Sequence, residues 1–319
     1  MEIIMRLPGM VMDIIIHLPQ ILAQAFSIGT ISQGLLWSMM ALGVYLTYRV
    51  LDIADLTVEG SFPLGAAVAA SLIDGGRNPY FALTMATFAG MAAGVVTGLL
   101  HTKLKIPALL AGILSMIALY SINLHVMGKA NVSLLRMDTV YTPFINLGLS
   151  KNIAILVAGA VFTIFFILVL YWFFGTEIGA AIRATGYNQQ MIRAQGVNTD
   201  ITIILGLLLS NALVAFSGAL IAQNNGFADV GMGTGTIVIG LASVIIGEVL
   251  FGTRSFKNCL ISVVLGSIVY RVVVAFVLGC GMNPNDLKLF TAIIVAIALS
   301  MPLIKKKFRS WMASSREAN

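Results

Sequence analysis

The sequence predicts an all-α, polytopic membrane protein, and three observations carry that prediction. Only 10% of the 319 residues are charged and 59% are hydrophobic, against about 25% charged in an average soluble chain. A soluble protein of this length would lack the charge to cover its surface. The apolar residues run on continuously for about 20 positions at a time, the length that crosses a hydrocarbon core, and do not alternate as barrel strands do. Basic residues collect in the connections between those runs, as loops do on the positive side of a membrane. The same composition excludes disorder. A net charge of +6 would suggest nucleic acid in a soluble protein; here it reads as loop charge.

About eight to ten transmembrane helices are expected on length alone. Residues 1–26 are apolar but interrupted by Arg6, Pro8, Asp13, His17 and Pro19. They span, or lie in the interface as an amphipathic helix. No small-residue site follows a clean apolar core, so a cleaved signal peptide is not read. Clear spans follow at 31–51, 80–100, 106–126, 153–174, 201–223, 236–251, 259–279 and 287–304. Between the first two, the segment 61–73 is too short to cross alone at 1.5 Å per residue. It follows Asp52, Asp55 and Glu59, and carboxylates do not face lipid. A short apolar segment joined to a polar, Pro- and Gly-containing stretch signals a broken second helix. Such backbone survives at membrane depth only when buried in protein or lining a cavity. The expected organisation is an N-terminal helix (1–30), a single transmembrane domain (31–304) with a long loop at 175–200, and a basic tail (305–319).

Charge orients the chain. With every span crossing, one side receives Lys103, Lys105, Arg183, Arg193, Arg254, Lys257 and the tail from Lys305 to Arg316, with Arg49 at the end of the first clear span. The other side receives Arg77, Lys129, Arg136, Lys151 and Lys288. The richer side is cytoplasmic by the positive-inside rule, and with it the C-terminus. Cys259 and Cys280 lie in or beside apolar runs and read as buried thiols, since no zinc or redox spacing exists. His17, His101 and His125 are too dispersed for a metal cluster.

The 175–200 loop holds room for two short helices, 177–185 and 188–195, each followed by a glycine, Gly186 and Gly196, where helices often stop. Asn198 or Thr199 can cap the next span. Ile178, Ile182, Met191 and Ile192 supply apolar contacts, and Arg183 and Arg193 supply charge. The loop is either an amphipathic connector resting on the membrane surface or an element that inserts into a cytoplasmic partner.

Several polar residues fall inside spans. Asp55, Thr57 and Glu59 either line a pathway and hold its broken helix, or cap the short helix near Ser61 and meet water. A carboxylate at Glu59 suits the positive end of that helix in either case. Glu248 lies about 6 Å from the inner end of its span, and Arg271 about 18 Å up the next, which disfavours a direct pair. Glu248 then contacts the loop region or sits plainly at the interface, and Arg271 snorkels or binds backbone carbonyls. Tyr120, Asn123, Ser210 and Asn211 can line a pathway or join helices by hydrogen bonds. Gly90, Gly94 and Gly98, four apart, fit close helix packing, and the sixteen Met are apolar filler.

The stretch Asp52-Ile53-Ala54-Asp55-Leu56-Thr57-Val58-Glu59-Gly60-Ser61-Phe62 resembles the polar stretch after the first core helix in permeases of the branched-chain amino acid and ribose type, the membrane subunits of bacterial ABC importers. The loop from Ala181-Ile182-Arg183-Ala184-Thr185-Gly186 through Ala194-Gln195-Gly196-Val197-Asn198-Thr199 resembles their coupling-loop signature. The segments 104–112, 218–240, 247–252 and 283–288 are also similar, so the likeness covers roughly residues 31–304. It is strongest to the branch paired with tryptophan- and tyrosine-type substrate-binding lipoproteins. Where the amino-acid permeases carry an Asn-Phe/Ile-Ala-His/Gln-Gly pattern, this chain has Asp55, Thr57 and Glu59, so the backbone role carries over more securely than the ligand chemistry.

The resemblance implies an ABC importer permease fold in the bacterial cytoplasmic membrane. Two permease copies, a homodimer for a lone gene, would form the pathway. Two cytoplasmic ATP-binding subunits would sit beneath it, and an external binding protein or lipoprotein would deliver the solute. Asp55, Thr57, Glu59, Ser61, Phe62, Tyr120, Asn123 and Asn211 become pathway or gate candidates. Glu177, Ala181, Arg183, Ala184, Gly186, Arg193 and Gly196 become coupling candidates. No phosphate-binding loop of the G-x-x-x-x-G-K-[S/T] form occurs, so ATP and Mg are expected on the partner and no cofactor on this chain. An ion-coupled secondary transporter would leave the 175–200 loop without a use. An intramembrane enzyme would need a catalytic constellation, and the sequence has neither H-E-x-x-H nor G-x-S-x-G.

Overall fold

The computed structural model describes residues 22–280, with positions 19, 20, 289, 292, 293, 296 and 300 beside them. The expected spans at 1–26 and 287–304, and the basic tail, fall largely or wholly outside the described residues. Helix α1 runs over Ile28–Tyr45 and continues as a π-helical turn, Leu46–Val50. Next come α2 (Val58–Asp74), α3 (Pro79–Thr102), α4 (Ala108–Met127), a short strand β1 (Asn131–Ser133), α5 (Thr142–Asn146) and α6 (Lys151–Phe174). Helices α7 (Glu177–Tyr187) and α8 (Gln189–Ala194) form the long loop, followed by α9 (Thr199–Asn225), β2 (Phe227–Asp229), a 3₁₀ turn (Val230–Gly233), α10 (Thr236–Phe251) and α11 (Phe256–Gly279). Among the described residues, seven segments are long and apolar enough to cross a membrane: Leu22–Val50, Pro79–Thr102, Ala108–Met127, Lys151–Phe174, Thr199–Asn225, Val230–Phe251 and Phe256–Gly279. The protein is an all-α polytopic membrane protein.

Local chemistry explains where the helices start. Ser27, Asn78, Thr176, Asn188, Asn198 and Ser255 each accept a backbone N–H of the first turn, the bond an N-cap supplies. Pro79 follows its cap at the first helical position, where its missing N–H costs nothing. Asn198, not Thr199, caps α9.

Helix α9 is the axis of the bundle. In its apolar window 78% of residues are buried, against 28–50% in the six other spans. It packs on α1, α2 and α3, while α11 and α10 pack on each other and on α1, α6 on α1, and α4 on α2. The stripe Gly90, Gly94, Gly98 lies against α9: a Cβ at Gly94 would sit 2.4 Å from the Leu207 carbonyl oxygen, and one at Gly90 2.4 Å from that of Asn211. Only hydrogen leaves room for this approach, the packing expected from the spacing. Ser210 donates to the Gly43 carbonyl (2.8 Å), Ser217 to that of Leu36 (2.8 Å), and Ser267 of α11 to that of Gly34 (2.9 Å), tying three helices by hydroxyls that find no water in lipid. At one end β1 and β2 pair antiparallel, Asn131 opposite Asp229; the opposite end carries α7 and α8. These are the strand-pair end and the loop end of the bundle.

The second span is broken, and the helix begins earlier than its apolar composition suggests. The chain leaves the π turn at Leu51, takes a left-handed backbone at Asp52 (φ 54°), stays irregular to Thr57 and only then turns helical. Helix α2 has 17 residues, about 25 Å, short of a ~30 Å core. It starts at Val58, so Glu59 and Gly60 belong to its first turn. The Gly60 Cα faces Met116 and Leu119 of α4, about 12–17 Å above the loop end of a helix about 30 Å long. The first turn of α2 therefore lies near mid-depth.

Candidate translocation and coupling site

Three groups of polar residues meet around the break. The first is built on α9. Asp55 is buried; its Oδ1 accepts the Thr57 N–H (2.9 Å), and its Oδ2 accepts from Asn211 Nδ2 (2.9 Å). Asn211 also donates to the Leu207 carbonyl (3.0 Å) and accepts from the Ser61 hydroxyl (2.6 Å) on its Oδ1. One amide thus joins the irregular segment, α2 and α9, with its hydrogen-bonding groups used. The second group is a hydroxyl chain: Thr57 and Thr97 share a hydrogen bond (2.8 Å), and Thr97 donates to Ser115 (2.7 Å), linking the break to α3 and α4.

The third group lines a cavity of about 460 Å³ formed by α2, α4 and the turn before α10. Its wall includes Glu59, Gly60, Pro63, Tyr120, Asn123 and Thr234. Glu59 Oε1 accepts the Gly235 N–H (3.0 Å), so one carboxylate bridges the N-terminal ends of α2 and α10. A charged side chain at the centre of a span costs about 2.5–3.5 kcal/mol. A helix N-terminus returns up to about 2 kcal/mol in partly buried sites, and a hydrogen bond to a charged group about 1.5–3 kcal/mol. Two helix ends and one N–H thus stand at the Glu59 carboxylate. Asn123 is buried and donates to the Gly60 carbonyl (3.2 Å), while its Oδ1 has no hydrogen-bond partner among the described residues. Tyr120 is 56% exposed.

The residues singled out in the sequence therefore divide. Glu59, Tyr120 and Asn123 line the cavity; Asp55, Thr57, Ser61 and Asn211 are buried beneath and beside it and hold its walls. Phe62 is buried and stacks on Trp37 (centroids 5.2 Å apart), which carries the Arg271 guanidinium on its ring (4.2 Å). Arg271 accordingly rests on an aromatic face, and Glu248 pairs with Arg49 through two nitrogens. Trp37 carries no local sequence signal and Arg49 reads only as loop charge; each matters through a partner far along the chain.

At the loop end, α7 does not stop at Gly186 as expected but continues to Tyr187. Gly186 serves an approach: a Cβ there would lie 1.9 Å from the Val50 carbonyl oxygen, so α7 rests directly on the π turn that leads into the break. Gly196 (φ 86°) does follow the end of α8. Ile182 and Ile192 are buried, and Thr185 shares a hydrogen bond with Thr202 of α9 (2.8 Å). Glu177, Arg183 and Tyr187 are exposed while Ala181 and Ala184 are partly covered. Arg183 lies over the Phe256 ring (5.4 Å). Arg193, its side chain 54% exposed, donates to the Thr199 hydroxyl and pairs with Asp200, so it braces the loop. Tyr187, 90% exposed at the tip, is an exposed aromatic of this loop that sequence reasoning did not single out; one aromatic beside a glycine gives no pattern.

A multi-pass helical protein with a discontinuous span at mid-depth and a two-helix surface loop packed on it has the anatomy of a transport permease. Residues 27–300 match the family described as branched-chain amino acid transport system / permease component, and the chain belongs to that family. It is 41% identical over 273 residues to the tyrosine transport system permease protein of Clostridioides difficile, covering 86% of this chain and 90% of that one. It is 26% identical over 269 residues to a galactofuranose transporter permease protein of Escherichia coli (82% and 75% covered). With the ribose import permease protein of the same species it shares 26% identity over 214 residues (66% and 65%). No solved structure matches.

Proposed function

We propose that this chain is the membrane subunit of an ATP-driven importer and forms the pathway for an amino acid, aromatic or branched-chain, by alternating access. The observation that carries the reading is the unbroken contact path from the surface loop to the cavity. Helix α7 rests on Val50, Leu51 packs on Gly206 of α9, and Asp55 is tied to Asn211, four residues before Glu59. A push on α7 from below therefore reaches the cavity wall without crossing a flexible link. The likeness to a tyrosine transport system permease supports the substrate class. In this reading two copies of a cytoplasmic ATP-binding subunit hold the ATP and Mg and do the hydrolysis, each receiving one α7–α8 loop. A second permease copy completes the pathway as a homodimer, and an external binding protein or lipoprotein delivers the solute. The setting is the bacterial cytoplasmic membrane with the C-terminus inside.

The test is purification of the tagged protein in detergent, with its neighbouring genes co-expressed and every co-purifying chain identified. An ATP-binding subunit is expected with the wild type. Tyr187→Asp, which changes only an exposed tip, is expected to lower the recovered ATPase activity about tenfold or more while the permease still purifies folded. A permease that purifies alone and transports tyrosine in proteoliposomes without ATP would identify an ion-coupled secondary transporter instead.

A further inference from the structure

The cavity wall has a chemical bias. Its residues are Glu59, Gly60, Pro63, Met116, Tyr120 and Asn123 with Ile117, Ser121, Val230, Gly231 and Thr234, and no Lys, Arg or His is among them. Two acceptors in it are left without donors among the described residues. Glu59 Oε2 has no hydrogen-bond partner among the described residues, since only Oε1 is engaged, by Gly235. Asn123 Oδ1 is buried and unpartnered among them. Pro63 has no N–H, so the Glu59 carbonyl also loses its helical donor. Beside these acceptors stand the Tyr120 ring and the apolar side chains of Met116, Ile117 and Val230. A carboxylate at membrane depth with a vacant oxygen calls for a cationic partner, and an aromatic wall adds attraction for one.

We propose that this cavity binds the protonated amine of the transported solute, with Glu59 as counter-ion, Asn123 as second acceptor, and Tyr120 with its apolar neighbours against the side chain. This rests on the importer reading and deepens it. The permease would then select for a primary ammonium, independently of the delivering protein, and a solute with the same ring but no charged amine would be refused. The bridge from Glu59 to Gly235 also gives the site a link to α10: an ammonium at Oε2 draws on the carboxylate that holds the two helix ends together.

The permease–ATPase complex in sodium-free detergent buffer is the material for the test, read by thermal unfolding. Tyramine has the ring and the amine; N-acetyltyrosine has the ring and a carboxylate but no cationic nitrogen. Tyramine is expected to raise the midpoint of the wild type and N-acetyltyrosine to leave it in place. Glu59→Gln should shift the half-saturating tyramine concentration upward about tenfold or more. Should that variant fail to fold, Tyr120→Ala, at an exposed position, is expected to raise the same concentration about fivefold. Equal stabilisation by N-acetyltyrosine, no stabilisation by either probe, an undiminished response in the variants, or stabilisation by sodium alone would each overturn the amine site. Uptake separates this from the parent reading. If labelled tyrosine enters cells only with both this chain and the ATPase while tyramine fails on the complex, the importer stands and the amine site falls. If uptake persists without the ATPase, the importer reading itself falls.

Discussion

At the scale of single residues, Asn211 and Asp55 form the most consequential pair outside the cavity. Both are buried, and Asn211 serves Asp55, Ser61 and the Leu207 carbonyl at once. Asn211→Ala would leave a carboxylate oxygen and a hydroxyl without partners in a place water does not reach. The expected loss is about 3 kcal/mol, the range for uncompensated buried polar groups and charges. It should show as a fall of several degrees in the thermal midpoint of the detergent-solubilised protein. Asp55→Asn keeps the shape but sets an NH2 donor against either the Thr57 N–H or Asn211 Nδ2, and should lower the midpoint as well. The types of these residues were legible in the sequence, because carboxylates and amides inside apolar runs stand out. Their pairing was not: it spans 156 positions, and no local pattern encodes it. Arg49 and Glu248 teach the same lesson. Depth arithmetic argued against an Arg271–Glu248 pair, while the actual partner lay on another helix. With Arg49 half exposed, that pair contributes about 1 kcal/mol or less.

At the scale of elements, hydropathy located most span ends among the described residues to within a few positions, and the polar run before 61 marked the break. Two features escaped it. Val58, Glu59 and Gly60 joined α2 because Thr57 and Asp55 terminate the irregular stretch with hydrogen bonds, which composition does not reveal. Gly186 reads as a helix stop in sequence, yet its use is steric. That use makes a sharp prediction. Gly186→Leu cannot be accommodated against Val50 without displacing α7 from the π turn, at a cost of about 1–3 kcal/mol for overpacking. The variant should still co-purify with the ATP-binding subunit, since the exposed face of α7 is unchanged, but solute-stimulated ATPase activity should fall several-fold. Stimulation equal to the wild type would remove the π turn from the transmission path.

At the scale of the whole molecule, the orientation assigned from loop charge puts α7 and α8 in the cytoplasm and the β1–β2 strand pair outside. In a variant lacking Cys259 and Cys280, a cysteine at Tyr187 should resist a membrane-impermeant maleimide in intact cells and react after lysis. One at Leu135, 73% exposed beside the strand pair, should react in both; the reverse pattern would invert the topology. The architecture also has a bearing on biogenesis. Helix α9, around which the bundle closes, is translated after α1 to α8, so the partner of Asp55 emerges 156 residues later. At about 5–20 residues per second, the insertion machinery must shelter an unpaired aspartate for roughly 10–30 s. Any delay in elongation lengthens that interval, and a chain cut short before residue 211 never closes its bundle.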